Sequence, residues 1–338
     1  MSIELPLLRL GLAGFSAQQQ EHLSAVVRDA SSGSWHVGKF ADADAWIVNG
    51  ARVQVLLDST VRVASGEPGG RSLHLDLKDV DRPIAFSLPL APRHFEPLYT
   101  FEAGSSASER AILEKFESWM RPLVAQFCLA ALILEQESVL RPGIHHVSAD
   151  GALIAVVNMQ GETGVLPTAS PVDFENAMWE RLSASSAIPE QFVRTSLAQL
   201  MWQFALRTSR DILPARYRAG LLYFRRPPRL QPRLVTDSHL LLMRELACAP
   251  GDFESLQQRT GLGGRALARD LAALYFVGAI TSNPKRAAPV SQRHAADSNH
   301  AQQQSVLPSG IDAEPATTQP RTAWAKADLT APARIGPS

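Results

Sequence analysis

The strongest constraint on this chain is a helical pattern near its middle. From Ser106 to Glu137, the residues Ile112, Leu113, Phe116, Trp119, Met120, Leu123, Val124 and Phe127 recur at three and four positions, the spacing that lines one face of an α-helix. Pro122 falls inside this pattern. A proline lacks the N–H and crowds the preceding turn, so it is expected to kink the helix or split it in two. The aromatic members could line a ligand pocket, but packing against the first module or against a second copy of the chain is the expectation, which allows a homo-oligomer. The most apolar run, Phe127 to Leu134, is far shorter than the roughly 20 residues that cross a bilayer. A buried helix and no membrane span are expected there.

Ahead of that helix the pattern is α/β. Leu7 to Phe15 reads as a buried strand and Ala17 to Ala30 as a helix, and strands follow at Trp35 to Phe40 and Ala45 to Asn49. This is a βαβ beginning. Further strands are expected at Val53 to Leu57, Val61 to Ala64, Leu73 to Leu77 and Ile84 to Leu88, with the module ending near Pro92. Arg9 interrupts the apolar stretch from Leu5 to Phe15, so no signal peptide is expected. Beyond the long helix, Ile144 to Ser148 and Ala152 to Met159 flank Asp150-Gly151, a pair suited to tight hairpin turns. Helices are then expected over about Asp173 to Ala184 and Pro189 to Ser209, with Pro189 in a first turn.

The order of the N-terminal elements resembles a response-regulator receiver domain, with Ala45-Trp46-Ile47-Val48-Asn49-Gly50 in place of the strand that ends in the phosphoacceptor aspartate. Asn49 departs from that pattern, as do the missing acidic pair after Leu12 to Phe15 and the missing Lys after Ile84 to Leu88. Without acids nothing holds the Mg²⁺ that phosphoryl transfer requires. The resemblance therefore implies a pseudo-receiver that works by docking.

Near the C-terminus three helices follow one another: one capped by Thr236 or Asp237 and ending before Pro250-Gly251, one from Phe253 to Thr260 stopped by Gly261, and one from about Gly264 to Phe276 with Leu267, Leu271 and Leu274 inward. Gly278 ends the third, and Ala279-Ile280-Thr281 can start a strand. This succession resembles a winged-helix domain. In a DNA-binding member the third helix would leave Arg265 and Arg269 outward, with Arg259, Lys285 and Arg286 reaching phosphates. Winged helices also dock proteins, so fold alone does not decide the use.

The chain of 338 residues has a formal net charge of zero, which excludes a protein that coats nucleic acid nonspecifically. Charge is nevertheless uneven. Arg207, Arg210, Arg216, Arg218, Arg225, Arg226, Arg229 and Arg233 face one acid, Asp211, over 27 residues. Guanidinium groups grip phosphate in bidentate fashion, so this stretch is either an anion site, for a nucleotide such as a cyclic dinucleotide, or a salt-bridged linker stiffened by Pro227-Pro228. Catalytic signatures are missing. His145-His146 are adjacent, face opposite sides of a strand and are expected at the surface; His74, His94 and His239 lack a metal-site arrangement, and neither Ser87 nor Ser238 lies in a nucleophile elbow. No cofactor or metal is expected. Cys128 and Cys248 sit in apolar helical patterns and are expected as buried thiols of a reducing, cytoplasmic compartment.

The expected architecture is an α/β N-terminal domain (1–92), an α+β middle region (93–215), an Arg-rich linker or strand (216–235), a winged-helix-like C-terminal module (236–286) and a disordered tail (287–338), whose Trp324 could bind a partner. The expected function is that of a non-catalytic regulator or adaptor with a protein or DNA partner. The alternative is a receptor for a phosphate-bearing small ligand.

Overall fold

Alternation of apolar residues in Leu8–Ala13 (β1) buries Leu8 and Leu10, and the helix Ala17–Ala30 (α1) returns the chain to a parallel neighbour, Trp35–Gly38 (β2). Ala45–Val48 (β3), Ile84–Leu88 (β7) and Thr100–Glu102 (β8) complete a parallel sheet of order β2-β1-β3-β7-β8. The structure is a computed structural model and describes residues 3–30, 35–56, 59–92, 94–182 and 187–289. Between β3 and β7 runs a separate antiparallel sheet of Val53–Val55 (β4), Thr60–Val63 (β5) and Leu73–Asp76 (β6). Its Val53, Val61 and Val63 pack with Val48 and Phe86 of the parallel sheet. Val27 of α1 and Ile112, Phe116 and Met120 pack with Leu8, Leu10 and Ile47 in a second cluster.

Those last three residues belong to Ser106–Glu135 (α2), a single 30-residue helix started by Ser105, whose hydroxyl accepts the Ser108 N–H. It runs unbroken through Pro122, against the expected split. The carbonyl that proline frees, four residues back at Ser118, belongs to an exposed residue, where water can take the bond. Trp119 is also turned outward, 48% exposed. By length and composition α2 is, among the described residues, the one helix able to cross a membrane, yet half of its most apolar window is buried inside the protein. The parallel sheet does not stop at Pro92, because β8 is one of its strands and the first half of α2 packs against it.

The second half of α2, from Ala125 to Ile133, packs on an antiparallel sheet. Ile144–Ala149 (β9) and Ala152–Asn158 (β10) form its central hairpin. Asp150 (φ 50°) and Gly151 (φ 80°) make the turn, both in the left-handed region such turns need. Glu162–Val165 (β11), Met178–Leu182 (β12) and Val193–Ser196 (β13) complete the order β12-β9-β10-β11-β13. Here the expected helices give way. The first is only Pro171–Glu175 (α3), followed by β12; the end expected at Ala184 lies outside the described residues. The second starts not at Pro189 but at Leu197, after β13. The open edges of β9 and β11 take up β12 and β13, and such pairing overrides weak helical preference.

Leu197–Arg207 (α4) is capped by Ser196 on the Gln199 N–H at 3.1 Å. It is apolar on two sides: Leu200, Met201 and Phe204 enter the core of the antiparallel sheet, while Trp202 and Ala205 enter the next one. Helices with that pattern are buried between layers. The next core gathers Ala215–Ala219 (α5), Tyr223–Phe224 (β14), Asp237–Cys248 (α6), Phe253–Thr260 (α7), Gly264–Phe276 (α8) and Ile280–Thr281 (β15). β14 and β15 pair antiparallel. Gly261 (φ 69°) and Gly278 (φ 66°) end α7 and α8, as left-handed glycine stops do. Cys128 is buried, which pushes its thiol up to about 12, whereas Cys248 is exposed, contrary to expectation, because it ends α6 on the face away from the buried Leu242 and Leu246. The tail expected to be disordered lies, from residue 290 onward, outside the described residues.

Trp202 is fully buried, and its indole N–H donates to the Leu234 carbonyl at 3.2 Å. Trp202→Ala should therefore lower stability by about 3–5 kcal/mol, read as a shift in the urea midpoint, with Trp202→Phe costing clearly less.

Candidate functional site

The carboxyl ends of a parallel sheet are where ligands usually bind. Here the ends of β3 and β7 are tied together, and a pocket of about 280 Å³ opens beside the ends of β1 and β8, at Phe15, His22, Gly104 and Glu109. Asn49, following β3, donates through Nδ2 to the Gly14 carbonyl at 3.0 Å and accepts the Ala51 N–H at 3.1 Å. The Ser87 hydroxyl accepts the Gly50 N–H at 3.0 Å, and a Cβ at Gly50 would meet the Ser87 carbonyl oxygen at 2.0 Å. Only a carboxamide supplies both a donor to Gly14 and an acceptor for Ala51, so an aspartate could not make this clasp.

A cleft of about 620 Å³ opens elsewhere, beside the edge strand β2. Its walls come from three distant parts of the chain. β1 and β2 supply Arg9 and His36, which are direct partners across the strand ladder. The segment after α4 supplies Arg210 and Arg218, and the first turns of α8 supply Arg265 and Arg269. Phe253 adds an aromatic wall, with the Arg218 guanidinium 5.0 Å from its ring centre. Gly264, Arg265 and Ala266, the first three residues of α8, all line the cleft. Their N–H groups receive no side-chain cap, because Gly263 is the N-cap, and the first turn carries no acid. Bare N–H groups at the positive end of a helix favour an anion.

Several of the acids nearby are spent, while the exposed Asp42, whose charge also acts on Arg9, makes no ion pair among the described residues. Asp44, just before β3, takes both Arg207 nitrogens, at 2.7 and 3.1 Å, and the Arg9 backbone N–H at 2.9 Å. Glu4 binds Arg210 at 3.0 Å and also accepts from Thr208 and Ser209; burial acts to raise its pKa, but these partners outweigh burial and hold it below the usual range. Asp211 pairs with Arg218, and Asp270 with Arg269 at 3.1 Å. Arg9 and Arg265 make no ion pair within 4.0 Å among the described residues; they reach only the carbonyls of Leu206, at 3.4 Å, and Ser209, at 3.3 Å. Burial, then the charges of Arg269 and Arg207, push the Arg9 pKa down against the pull of Asp44 and Asp42. Such crowding of cations is relieved by an incoming anion.

Of the arginines expected to bind an anion, the cleft thus collects Arg210 and Arg218, while Arg207 stands behind it on Asp44. Arg216 lies over the Tyr217 and Tyr275 rings, 5.4 and 5.9 Å from their centres. Arg226 and Arg229 line a different cleft, beside Phe276, and Arg225 approaches Gly278. Arg233 pairs with Asp81 at 3.1 Å. Of the residues expected on DNA, Arg265 is exposed and Arg269 half-buried, both in the cleft. Arg259 pairs with Glu245 at 3.7 Å, and Lys285 and Arg286 lie exposed on the turn Pro284–Arg286. α8 itself is not a surface helix: Leu267, Ala268, Asp270, Leu271, Ala272, Ala273 and Leu274 are all buried.

One histidine departs from its expected place. His145 is buried, not at the surface, because β12 covers it: its ring lies 5.9 Å from that of Trp179, and its Nε2 is 3.0 Å from the Arg141 carbonyl. His239 lies 3.8 Å from a single carboxylate, Asp270. Arg9 and His36 were not singled out for the site, although a cation inside an apolar strand was a usable signal. Among the described residues no group of three or more His, Cys, Asp or Glu is gathered to hold a metal. Family models, curated proteins and solved structures give no match to this chain.

His36 and His239 carry a pH signature. Burial, then Arg9, lowers the His36 pKa against Asp44; burial, with Arg269 and against Asp270, lowers that of His239. The unfolded chain takes up these protons near the ordinary value of about 6.5, before the folded chain does. Their stability contribution is therefore full above that value and is lost as the pH falls toward the folded values. The melting temperature should drop between about pH 7.5 and pH 5.5, and the double variant His36→Gln/His239→Gln should show a flatter profile over that window.

Proposed function

We propose that the protein is a non-catalytic regulatory receptor that binds a phosphate-bearing small ligand in the cleft between β1–β2 and α8. One observation carries this reading. Two arginines that make no ion pair among the described residues, Arg9 and Arg265, share the cleft with the uncapped first turn of a 13-residue helix. Guanidinium groups and helix N–H groups are the two donor types that phosphate oxygens take best. The clasped carboxyl ends at Asn49 and Ser87 support a first module that is a scaffold and not a phosphoacceptor.

The helices α6, α7 and α8 with the β14–β15 pair support a winged-helix-like reading of the C-terminal part. Duplex recognition through α8 is not favoured. A recognition helix must present a solvent face to the groove, and α8 is buried along most of its length.

Inorganic phosphate is the direct probe. Titrated calorimetrically into the full chain at low salt, it should bind, and affinity should fall as salt is raised. Arg265→Ala should weaken binding by roughly tenfold while changing stability by less than about 0.5 kcal/mol, since the side chain is exposed. No phosphate binding, together with tight binding of a mixed-sequence DNA duplex, would replace the receptor by a DNA-binding regulator.

A further inference from the structure

The cleft has a second lobe of about 540 Å³, joined to the first at Arg9, His36 and Arg269. Two of its lining side chains, His239 and Asp270, are 1% and 0% exposed. Each keeps one polar atom without a partner: Nε2 of His239 and Oδ2 of Asp270. The separation of 3.8 Å between His239 Nε2 and Asp270 Oδ1 is too long for a hydrogen bond. Buried polar atoms left in this condition are rare, because each forfeits its hydration without replacement.

The protonation of the ring follows from its other nitrogen. The Thr236 N–H donates to Nδ1 at 3.2 Å, so Nδ1 is the acceptor and the proton sits on Nε2. Burial keeps the ring neutral near pH 7, with Arg269 helping and Asp270 opposing. Besides the exposed Lys39, Asp42 and Asp237, the lobe therefore presents one buried N–H donor and one buried carboxylate acceptor side by side. A hydroxyl matches both, accepting from the imidazole and donating to the carboxylate. An ammonium could donate to Asp270 but could not accept from His239. A phosphate would be repelled by Asp270 and belongs in the first lobe.

We propose that the second lobe binds a sugar hydroxyl, so that the ligand is a sugar phosphate or ribonucleotide whose phosphate lies at Arg9, Arg265 and the first turn of α8. This rests on the anion-binding reading of the first lobe and adds the chemistry of the rest of the ligand. Sites built to hydrogen-bond a hydroxyl discriminate strongly, because the partner atoms stay unpaired when the hydroxyl is missing. The pair sits on two helices, α6 and α8, and one of the connecting lining residues, Arg269, pairs with Asp270 through Nε at 3.1 Å. The phosphate and hydroxyl positions are thereby linked through adjacent residues of one helix.

The test compares inorganic phosphate with ribose 5-phosphate, two probes of similar charge, by calorimetry on the full chain. Ribose 5-phosphate should bind about tenfold more tightly, the worth of a hydrogen bond to a charged group. Asp270→Asn should bring the two probes within about twofold of each other in the same variant, because the charge it removes from beside Arg269 acts on the phosphate of both alike. If that variant fails to fold, the wild type still decides: the His239 imidazole ¹⁵N resonances should move with ribose 5-phosphate and stay put with inorganic phosphate. Phosphate binding without preference for the sugar, or resonances indifferent to both probes as for a pair bridged by water alone, would overturn the hydroxyl site and leave the anion cleft. Binding of neither probe would overturn both.

Discussion

The contact between Asp44 and Arg207 governs how the parts of this molecule meet. Arg207 ends α4, the helix shared by the antiparallel sheet and the C-terminal core, and Asp44 precedes the central strand β3 of the parallel sheet. The two side chains are 19% and 8% exposed and bonded twice. Beside them the Leu7 N–H donates to the Arg207 carbonyl at 3.1 Å, and Asp44 also accepts the Arg9 N–H. A buried ion pair adds little net stability over an apolar replacement, yet losing one partner costs about 3–5 kcal/mol. Its value is positional: it admits one seating of β1 against α4, and that seating brings Arg9 opposite α8.

The electrostatics of the cleft follow from that seating. Asp44 is consumed by Arg207, so it only partly offsets Arg9, and Arg9 is left facing Arg269. Glu4, Asp211 and Asp270 are engaged with Arg210, Arg218 and Arg269. The cleft is thus a set of paired arginines around two unpaired ones, within a chain of zero formal charge. Global neutrality prevents diffuse attraction of polyanions, while the local excess favours a small anion that fits among fixed donors.

Local signals in the sequence served well where short-range chemistry decides structure. The glycines after α7 and α8, the Asp150-Gly151 turn and the apolar period of α2 mark their elements with little outside help. They served badly where tertiary pairing decides. Met178–Leu182 and Val193–Ser196 lack strong strand composition and become strands because β9 and β11 offer edges to complete. Pro122 left a kink and a split open for a related reason: its cost depends on whether the freed carbonyl meets solvent, which sequence does not tell, and only the split is absent. The site was legible in pieces. The Arg207–Arg233 stretch and the α8 arginines each stood out, but as two alternatives, and only folding joins them to Arg9 and His36 from the other end of the chain.

The position of α8 decides which of its groups can meet a ligand. Its leucines and alanines are packed against α4, which is itself held by the antiparallel sheet. That anchors the helix from Leu267 onward, while its first turn, with Arg265, stays at the margin. Donors at the start of an anchored helix need little reordering when an anion arrives, and preorganisation of this kind contributes affinity that exposed loops lack. Because the facing wall comes from β1 and β2, an anion in the cleft would join the first strands of the chain to its last helix. Occupancy would then stabilise the seating of the parallel sheet on the C-terminal core, since whatever binds only the assembled cleft shifts the equilibrium toward it.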